Sequence, residues 1–462
     1  MAGYGPLSNE RSFVVFPNPQ DVIPLPQKPS LERYKKLAKD LTKACKASQT
    51  GDSDAIGAWA AKWLKSLAPL TRNKDPRLPR WLNRKINEVD DYATGKLTQD
   101  GSKCRLTEAQ FVMARTHGFV TWAKFAKHLE GLARPTSSTA RFEAAVEAII
   151  NGKIAILRRL LREEPQLVKM RSTREHGATL LHYVSANGVE GYRQKTPQNI
   201  LEVTELLLVA GAEIDAEADV YGGGATTLGL AATSVHPFKA GVQNPLLQVL
   251  LDHGARIDHP ESAGNRQSAV LGCLSNGRPE AALYLAERGA KLNIVGAAGI
   301  GRLDAVMSFF KSDGRLKTGV TKKEAESAFV YACMWGKHEV VQFLADQGVN
   351  LAAHLGDGQT GLHWAVIVGR LTTVNLLLKL HAPLELRNEY GGTVLGQTLW
   401  SAAHGGDPDV YTEIIETLIA AGAKVNDRHV PVNQPIDALL RKYGSEPEPT
   451  WYWFGEKPRK KR

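Results

Sequence analysis

Cysteine is scarce and scattered. The four thiols, Cys45, Cys104, Cys273 and Cys333, form no C-x-x-C pair and have no neighbouring histidine at zinc-ligand spacing, so they read as reduced thiols of a cytoplasmic protein. No stretch approaches the roughly 18 consecutive apolar residues that a membrane span requires, and the N-terminus lacks a basic region followed by an apolar one. Export and membrane spanning are therefore not expected. Catalytic patterns are missing as well. There is no G-x-S-x-G elbow, and Ser234 and His236 have no acidic third partner. His338-Glu339-Val-Val-Gln342 begins like a zinc-protease helix but has glutamine at the second ligand position. Gly296-Ala-Ala-Gly-Ile-Gly301 lacks the strand and the Lys-Ser/Thr pair that would bind phosphate. These absences predict a non-enzyme with no catalytic residue, no metal and no cofactor.

The remaining composition is that of a folding chain, with 43% hydrophobic and 23% charged residues. Its formal charge of +10 is unevenly placed. Residues 1–138 hold 23 Lys+Arg against 13 Asp+Glu, and residues 427–462 hold 8 against 5, which leaves 139–426 at about −3. Any acidic partner is expected at the ends, above all at the N-terminal part.

The strongest positive signal is a repeat. Thr360-Gly-Leu-His-Trp-Ala-Val-Ile-Val-Gly369 has counterparts 33 residues back at Ser327 and 33 residues on at Thr393. The same frame recurs at Glu143, Thr179, Thr226, Ser268 and Leu292 and ends in a half-copy at Gln434. Each copy pairs a short helix containing small residues with a second helix that has apolar positions at i, i+3 and i+4, as in Val203, Leu206, Leu207 and Ala210. A glycine such as Gly211, Gly254, Gly289, Gly348 or Gly422 then stops it. One such pair cannot bury its own apolar face, but stacked pairs can, giving a solenoid with an extended groove.

This pattern resembles the ankyrin repeat, whose T-P-L-H-x-A opening is approached most closely by Thr179-Leu-Leu-His182 and Thr360-Gly-Leu-His363. The resemblance covers about 139–444 and implies helix pairs joined by hairpin-like fingers and a protein-binding role. It also implies that His182 and His363 bond the adjoining backbone. Only 24 residues separate Ser268 from Leu292, which predicts a missing finger near Lys291–Ile294. Extra residues at Gly188–Pro197 and Ser234–Pro245 fall between the two helices of adjacent copies, where they are expected side by side. Together with Asp219-Val-Tyr-Gly-Gly-Gly224 they resemble features of a subgroup of bacterial ankyrin proteins.

Ahead of the array, residues 1–29 are proline-rich and read as an extended or disordered arm. Residues 30–133 read as a basic helical module. Its helices are expected from Ser30, with Leu31, Tyr34, Leu37, Ala38, Leu41 and Cys45 on one face, over about Asp54–Leu67, and over Thr107–Thr116 and Thr121–Leu132. A basic, proline-broken connection is expected over Pro69–Pro79. The stretch 106–130 is similar to a helical segment that precedes ankyrin repeats in some bacterial proteins. Its tight glycine turn also fits a helix-turn-helix, with Lys124, Lys127 and His128 as the polar reading groups. The tail, 445–462, holds Trp451-Tyr-Trp-Phe454, expected to cover the last repeat, and a basic string over 457–462.

The sequence thus predicts an all-α protein, an N-terminal module followed by an ankyrin solenoid, that binds a protein partner through its groove and repeat insertions. The candidate contact residues are Glu175, His176, Asn187, Trp335, Asp357, Gln359, Glu389 and Tyr390 with Tyr221 at finger tips or helix ends, and Tyr192, Arg193 and His236 in the insertions. Two alternatives stand beside it: a nucleic-acid-associated regulator using the basic module, and a small-molecule sensor or enzyme at the insertion surface.

Overall fold

The computed structural model describes residues 18–67, 78–98, 104–258 and 268–448. The Trp451–Phe454 cluster and the basic string after it lie outside them, as does most of the connection 69–79. The chain forms two compact units, whose described parts are 18–258 and 268–448. The structure is mostly helical, as the periodicity requires.

The first unit opens with five helices. Helix α1 (Leu31–Gln49) buries Tyr34, Ala38, Leu41 and Cys45, the face read from the sequence. Helix α2 (Ala55–Lys65) buries Ile56, Trp59, Ala60, Trp63 and Leu64. Helix α3 (Leu78–Thr98) was not foreseen, although Val89, Ala93 and Leu97 have helical spacing and are buried. Helices α4 (Leu106–Thr116) and α5 (Trp122–Leu132) close the module at the expected places. His128, expected as a reading group of the last helix, is instead buried against Thr173, with Nδ1 2.8 Å from its hydroxyl.

Two expectations for this unit are corrected. Residues 18–25, assigned to the extended or disordered arm, pack on the module: Pro19–Asp21 form a 3-10 turn, Val22 and Ile23 are buried and Leu25 packs against the same core. The Ile23 N–H donates to the Thr116 carbonyl at 2.8 Å, and Lys85 Nζ contacts Asp21 Oδ1 at 2.9 Å. Two β-branched apolar residues standing together supply burial that the proline count concealed. The reduced state assigned to all four cysteines fails for one pair, because Cys45 and Cys104 are disulfide-bonded across 59 residues. Cys273 and Cys333 are free and buried.

The repeats of this unit follow. The first is α6 (Ser138–Ile150) with α7 (Ile154–Glu163), and the second pairs the 3-10 segment Leu180–Ser185 with α8 (Ile200–Val209). The third sets α9 (Thr227–Thr233) against α11 (Gln243–Asp252), with α10 (Val235–Lys239) inside its insertion. A finger hairpin pairs β1 (Glu217–Ala218) antiparallel with β2 (Ala225–Thr226).

The second unit stacks α12 (Ala269–Ser275) with α13 (Pro279–Glu287), and α14 (Ile294–Ile300) with α15 (Leu303–Met307). Then come α16 (Lys322–Met334) with α17 (His338–Asp346), and α18 (Gly361–Ile367) with α19 (Leu371–Lys379). Helices α20 (Val394–Ala403), α21 (Pro408–Ala420) and α22 (Gln434–Lys442) complete it. Residues β3 (Arg428–His429) and β4 (Glu446–Pro447) pair in parallel beside the last helix. Only 288–293 joins α13 to α14, so the finger is missing where the short spacing predicts.

The histidines of the opening motif act as inter-repeat ties. His182 Nδ1 accepts from the Thr179 N–H at 3.1 Å, and its Nε2 is 3.2 Å from the Ala225 carbonyl in the next finger. His363 repeats this with the Thr360 N–H at 3.3 Å and the Gly392 carbonyl at 3.3 Å. Both are neutral donor-acceptor rings, and burial pushes the His182 pKa down to about 4.

Candidate interaction surface

The candidate residues of the first unit fall into an interior group and a surface group. Arg193 and His176, 5% and 2% exposed, belong to a buried ionic cluster that the sequence did not reveal. Glu143 from α6 accepts from Arg174 Nη1 at 2.7 Å and from Arg193 Nη2 at 2.5 Å. Glu190 faces Arg174 Nε at 2.9 Å and Arg193 Nη1 at 3.1 Å, and His176 Nε2 lies 3.8 Å from it. Two buried carboxylates balance two guanidiniums, the condition under which buried charge is tolerable, and the half-exposed Glu147 adds a contact to Arg193 Nε at 3.3 Å at the cluster's edge.

Burial opposes ionisation of Glu143, but the Arg174 and Arg193 guanidiniums outweigh it and hold its pKa down to about 2. Glu190 is depressed in the same way against the same desolvation. Burial pushes His128 to about 4, with Arg174 adding to the effect. The cluster fixes Gly188–Pro197 to the preceding repeat. A second tie holds the same insertion to the N-terminal segment, because a Cβ at Gly191 would collide with the Gln20 carbonyl oxygen. Ser234 Oγ, at the start of the second insertion, donates to the carbonyl of Ala186, just ahead of the first, at 3.3 Å.

One signal for the cluster was present in the sequence but was not read. The frame position filled by hydroxyls at Thr179, Thr226, Thr360 and Thr393 holds Glu143, a carboxylate that the helix buries at 8% exposure.

Tyr192 is half-buried beside its neighbour, with the Arg193 guanidinium 5.4 Å from its ring centre. Burial raises its phenol pKa. Tyr221 is 50% exposed and sits at φ +54° at a finger tip, in a run with Gly222, Gly223 and Gly224 that also has positive φ. A tyrosine in this region needs support. Its hydroxyl donates to Asn187 Oδ1 at 2.8 Å, while Asn187 Nδ2 donates to Thr233 Oγ1 at 3.0 Å and the Leu230 carbonyl at 3.2 Å. Glu175 accepts from Arg115 Nη1 at 2.5 Å, joining a finger to α4. His236 is half-buried on α10.

In the second unit, Asp357 and Glu389 occupy consecutive fingers, with the Glu389 N–H donating to the Asp357 carbonyl at 3.1 Å. Burial raises the Asp357 pKa and the Glu389 charge raises it further. Gln359 is interior, 4% exposed, and its Nε2 reaches Gln397 Oε1 at 3.4 Å, an oxygen that also accepts from Asn388 Nδ2 at 3.2 Å. Trp335 caps α16 half-buried, its Nε1 without a hydrogen-bond partner. Tyr390 is 78% exposed.

Sequence reading missed Trp400, 55% exposed on α20 with its ring stacked on His404 at 4.1 Å. It stands one period after Ile367 and two after Met334, so an aromatic side chain at that frame position was the available signal. Between the fingers lies a cleft lined by Ala352, His354, Gly358, Leu386, Arg387 and Glu389. Among the described residues no group of His, Cys, Asp and Glu is arranged to hold a metal ion, and no helix is long and apolar enough to cross a membrane.

Stacked helix pairs, two of them opened by a Thr-x-x-His turn that ties to the next finger, define a helical repeat protein. A family model of three ankyrin repeats matches residues 294–388. The chain is 33% identical over 92 residues to Notch-regulated ankyrin repeat-containing protein A of Danio rerio, covering 19% of this chain and 75% of that protein. It belongs to the ankyrin-repeat proteins.

It is also 31% identical over 101 residues to protein phosphatase 1 regulatory subunit 27 of Homo sapiens, covering 22% of this chain and 60% of that one. A third match, 35% over 78 residues, is to Notch-regulated ankyrin repeat-containing protein of Xenopus laevis, covering 17% and 65%. The chain thus spans less than two thirds of the human and frog relatives. A solved structure, the human ASB11 ankyrin repeat domain, aligns over 62% of this chain and 98% of that one at 18% identity and a TM-score of 0.33.

Proposed function

We propose that this protein is a non-catalytic, cytoplasmic interaction protein that holds a protein partner on its finger tips and inner-helix ends. The observation that carries the reading is Tyr390, 78% exposed on a finger beside Asp357 and Glu389 and followed by Trp400 on the next helix. Large aromatic side chains left in water on a rigid scaffold are the residue type that anchors protein interfaces. Trp335, Asp357, Glu389 and Tyr390 are the contacts in the second unit, joined by Trp400. Glu175, Asn187, Tyr192, Tyr221 and His236 are the contacts in the first. Arg193, His176 and Gln359 are withdrawn from this set, because their side chains are buried and hold the scaffold together.

The bacterial subgroup resemblance enters the proposal as a source for the insertions; the relatives matched are vertebrate. The cytoplasmic placement rests on the free thiols Cys273 and Cys333, since Cys45 and Cys104 are bonded. Thiol counting on chain alkylated inside cells and then unfolded tests it: four labelled thiols support a cytoplasmic pool, and two, with Cys45 and Cys104 still bonded, argue against it.

The interaction itself is tested with the full chain immobilised and its bound proteins quantified by mass spectrometry, wild type beside Tyr390→Ala and Trp400→Ala. A partner anchored here should lose about 2 kcal/mol, near 30-fold in affinity, on removal of either ring. Equal retention of every bound protein by all three chains would reject the surface.

A further inference from the structure

Helix α1 carries a charge pattern that its packing does not use. At about 100° per residue, Lys35, Lys36, Lys39, Lys43 and Lys46 fall within an arc of about 100° on the side away from buried Tyr34, Ala38, Leu41 and Cys45. All five are exposed. Lys35 pairs with Glu32 at 2.7 Å and Lys43 approaches Asp40 at 3.8 Å, while Lys36, Lys39 and Lys46 form no ion pair among the described residues. The stripe from Lys36 to Lys46 is about 15 Å long at 1.5 Å per residue. Arg33 Nη2 donates to Ser66 Oγ at 2.9 Å, which brings the last turn of α2, with exposed Lys62 and Lys65, beside the first turn of α1.

We propose that this face binds the phosphate backbone of duplex nucleic acid without reading its sequence. Three observations select that partner. The face carries five lysines with no aromatic side chain and no arginine, and the one carboxylate within its arc, Glu32, is held by Lys35; this composition is depleted from protein interfaces and suited to point contacts with phosphates. No large apolar residue of α1 is exposed to enter a bilayer, since Leu31 and Leu37 are half-buried. The charge is also local: residues 1–138 carry a net +10, against about −3 for 139–426 and +3 for 427–462. The contact surface differs from the one a helix-turn-helix would use, because α5 has His128 buried and offers only Lys124 and Lys127.

The test is fluorescence anisotropy of a labelled mixed-sequence 20-base-pair DNA duplex titrated with the full chain between 50 and 200 mM KCl. Five phosphate contacts give a slope of log K against log salt near about −4.5, a loss of roughly 500-fold over that range. The variant Lys36→Gln/Lys39→Gln/Lys43→Gln/Lys46→Gln should flatten the slope by about 3.6, whereas Lys124→Gln/Lys127→Gln should leave it unchanged. Glutamine and lysine have similar helix propensity, and an unchanged circular dichroism spectrum establishes that the fold is kept. A fourfold variant with the wild-type slope, or no binding at 50 mM KCl, overturns the proposal. So does tighter binding to vesicles containing phosphatidylserine than to the duplex at equal salt, which would assign the face to a membrane surface.

Discussion

Buried charge is the residue-scale feature that most constrains this molecule. Glu190 is fully buried and faces both Arg174 and Arg193. Replacing it by glutamine leaves two guanidiniums with Glu143 and, for Arg193, the half-exposed Glu147. Removal of one member of such a set costs about 3–5 kcal/mol, so Glu190→Gln should lower the urea midpoint of the first unit by that equivalent. A loss under about 1 kcal/mol would mean that water reaches the cluster.

The buried histidines predict the pH response. Burial pushes His117 to about 3 and His128 and His182 to about 4, each below the free value of 6.5, so protonation favours the unfolded chain. Their contribution is full above about pH 6.5 and is lost as pH falls from there through 4. Glu143, held near 2 against 4.5, adds a loss of the same sign below about pH 4.5. The Tm of the first unit should therefore fall steadily between pH 6.5 and 4 in calorimetry, and His128→Gln should make the fall shallower.

At the scale of elements, the insertion Gly188–Pro197 behaves as a clamp. Gly191 lets the Gln20 carbonyl approach, so Gly191→Ala must push the segment 18–23 off its seat. Ile23 and its bond to Thr116 then become solvent-accessible, and amide exchange at Ile23 should rise at least tenfold. Protection at Ile23 equal to wild type would show that the two elements move together instead.

Most elements were legible because their apolar spacing is regular, and the Thr179 and Thr360 turns carried their own cap and histidine signature. Helix α3 was not legible, since Pro76 and Pro79 break the pattern at its entrance, ahead of the helical spacing of Ile86, Val89, Ala93 and Leu97. The ionic cluster was not legible because Glu143, Arg174 and Glu190 are far apart in the chain and only the stacked repeats bring them together. Of the surface aromatics, Tyr390 could be placed from the frame, but Trp400 was not, because the same frame position holds the aliphatic Ile367 and Met334 in the preceding copies.

The whole molecule comprises two units that differ in what secures them. The first has the disulfide Cys45–Cys104, which closes a loop of 59 residues and by chain entropy is worth about 4 kcal/mol. The second has free, buried Cys273 and Cys333. Dithiothreitol should therefore move one calorimetric transition downward and leave the other in place. If both shift together, the units do not unfold separately.

The second unit has a defect in its periodicity at 288–293, where no finger projects. A bound segment lying along the finger row would meet unbroken support only from residue 308 onward. The deletion thus acts as a ruler. For the partner proposed above it would limit the length that can be gripped, so two epitopes with the same side chains but different lengths would be distinguished by the absent finger.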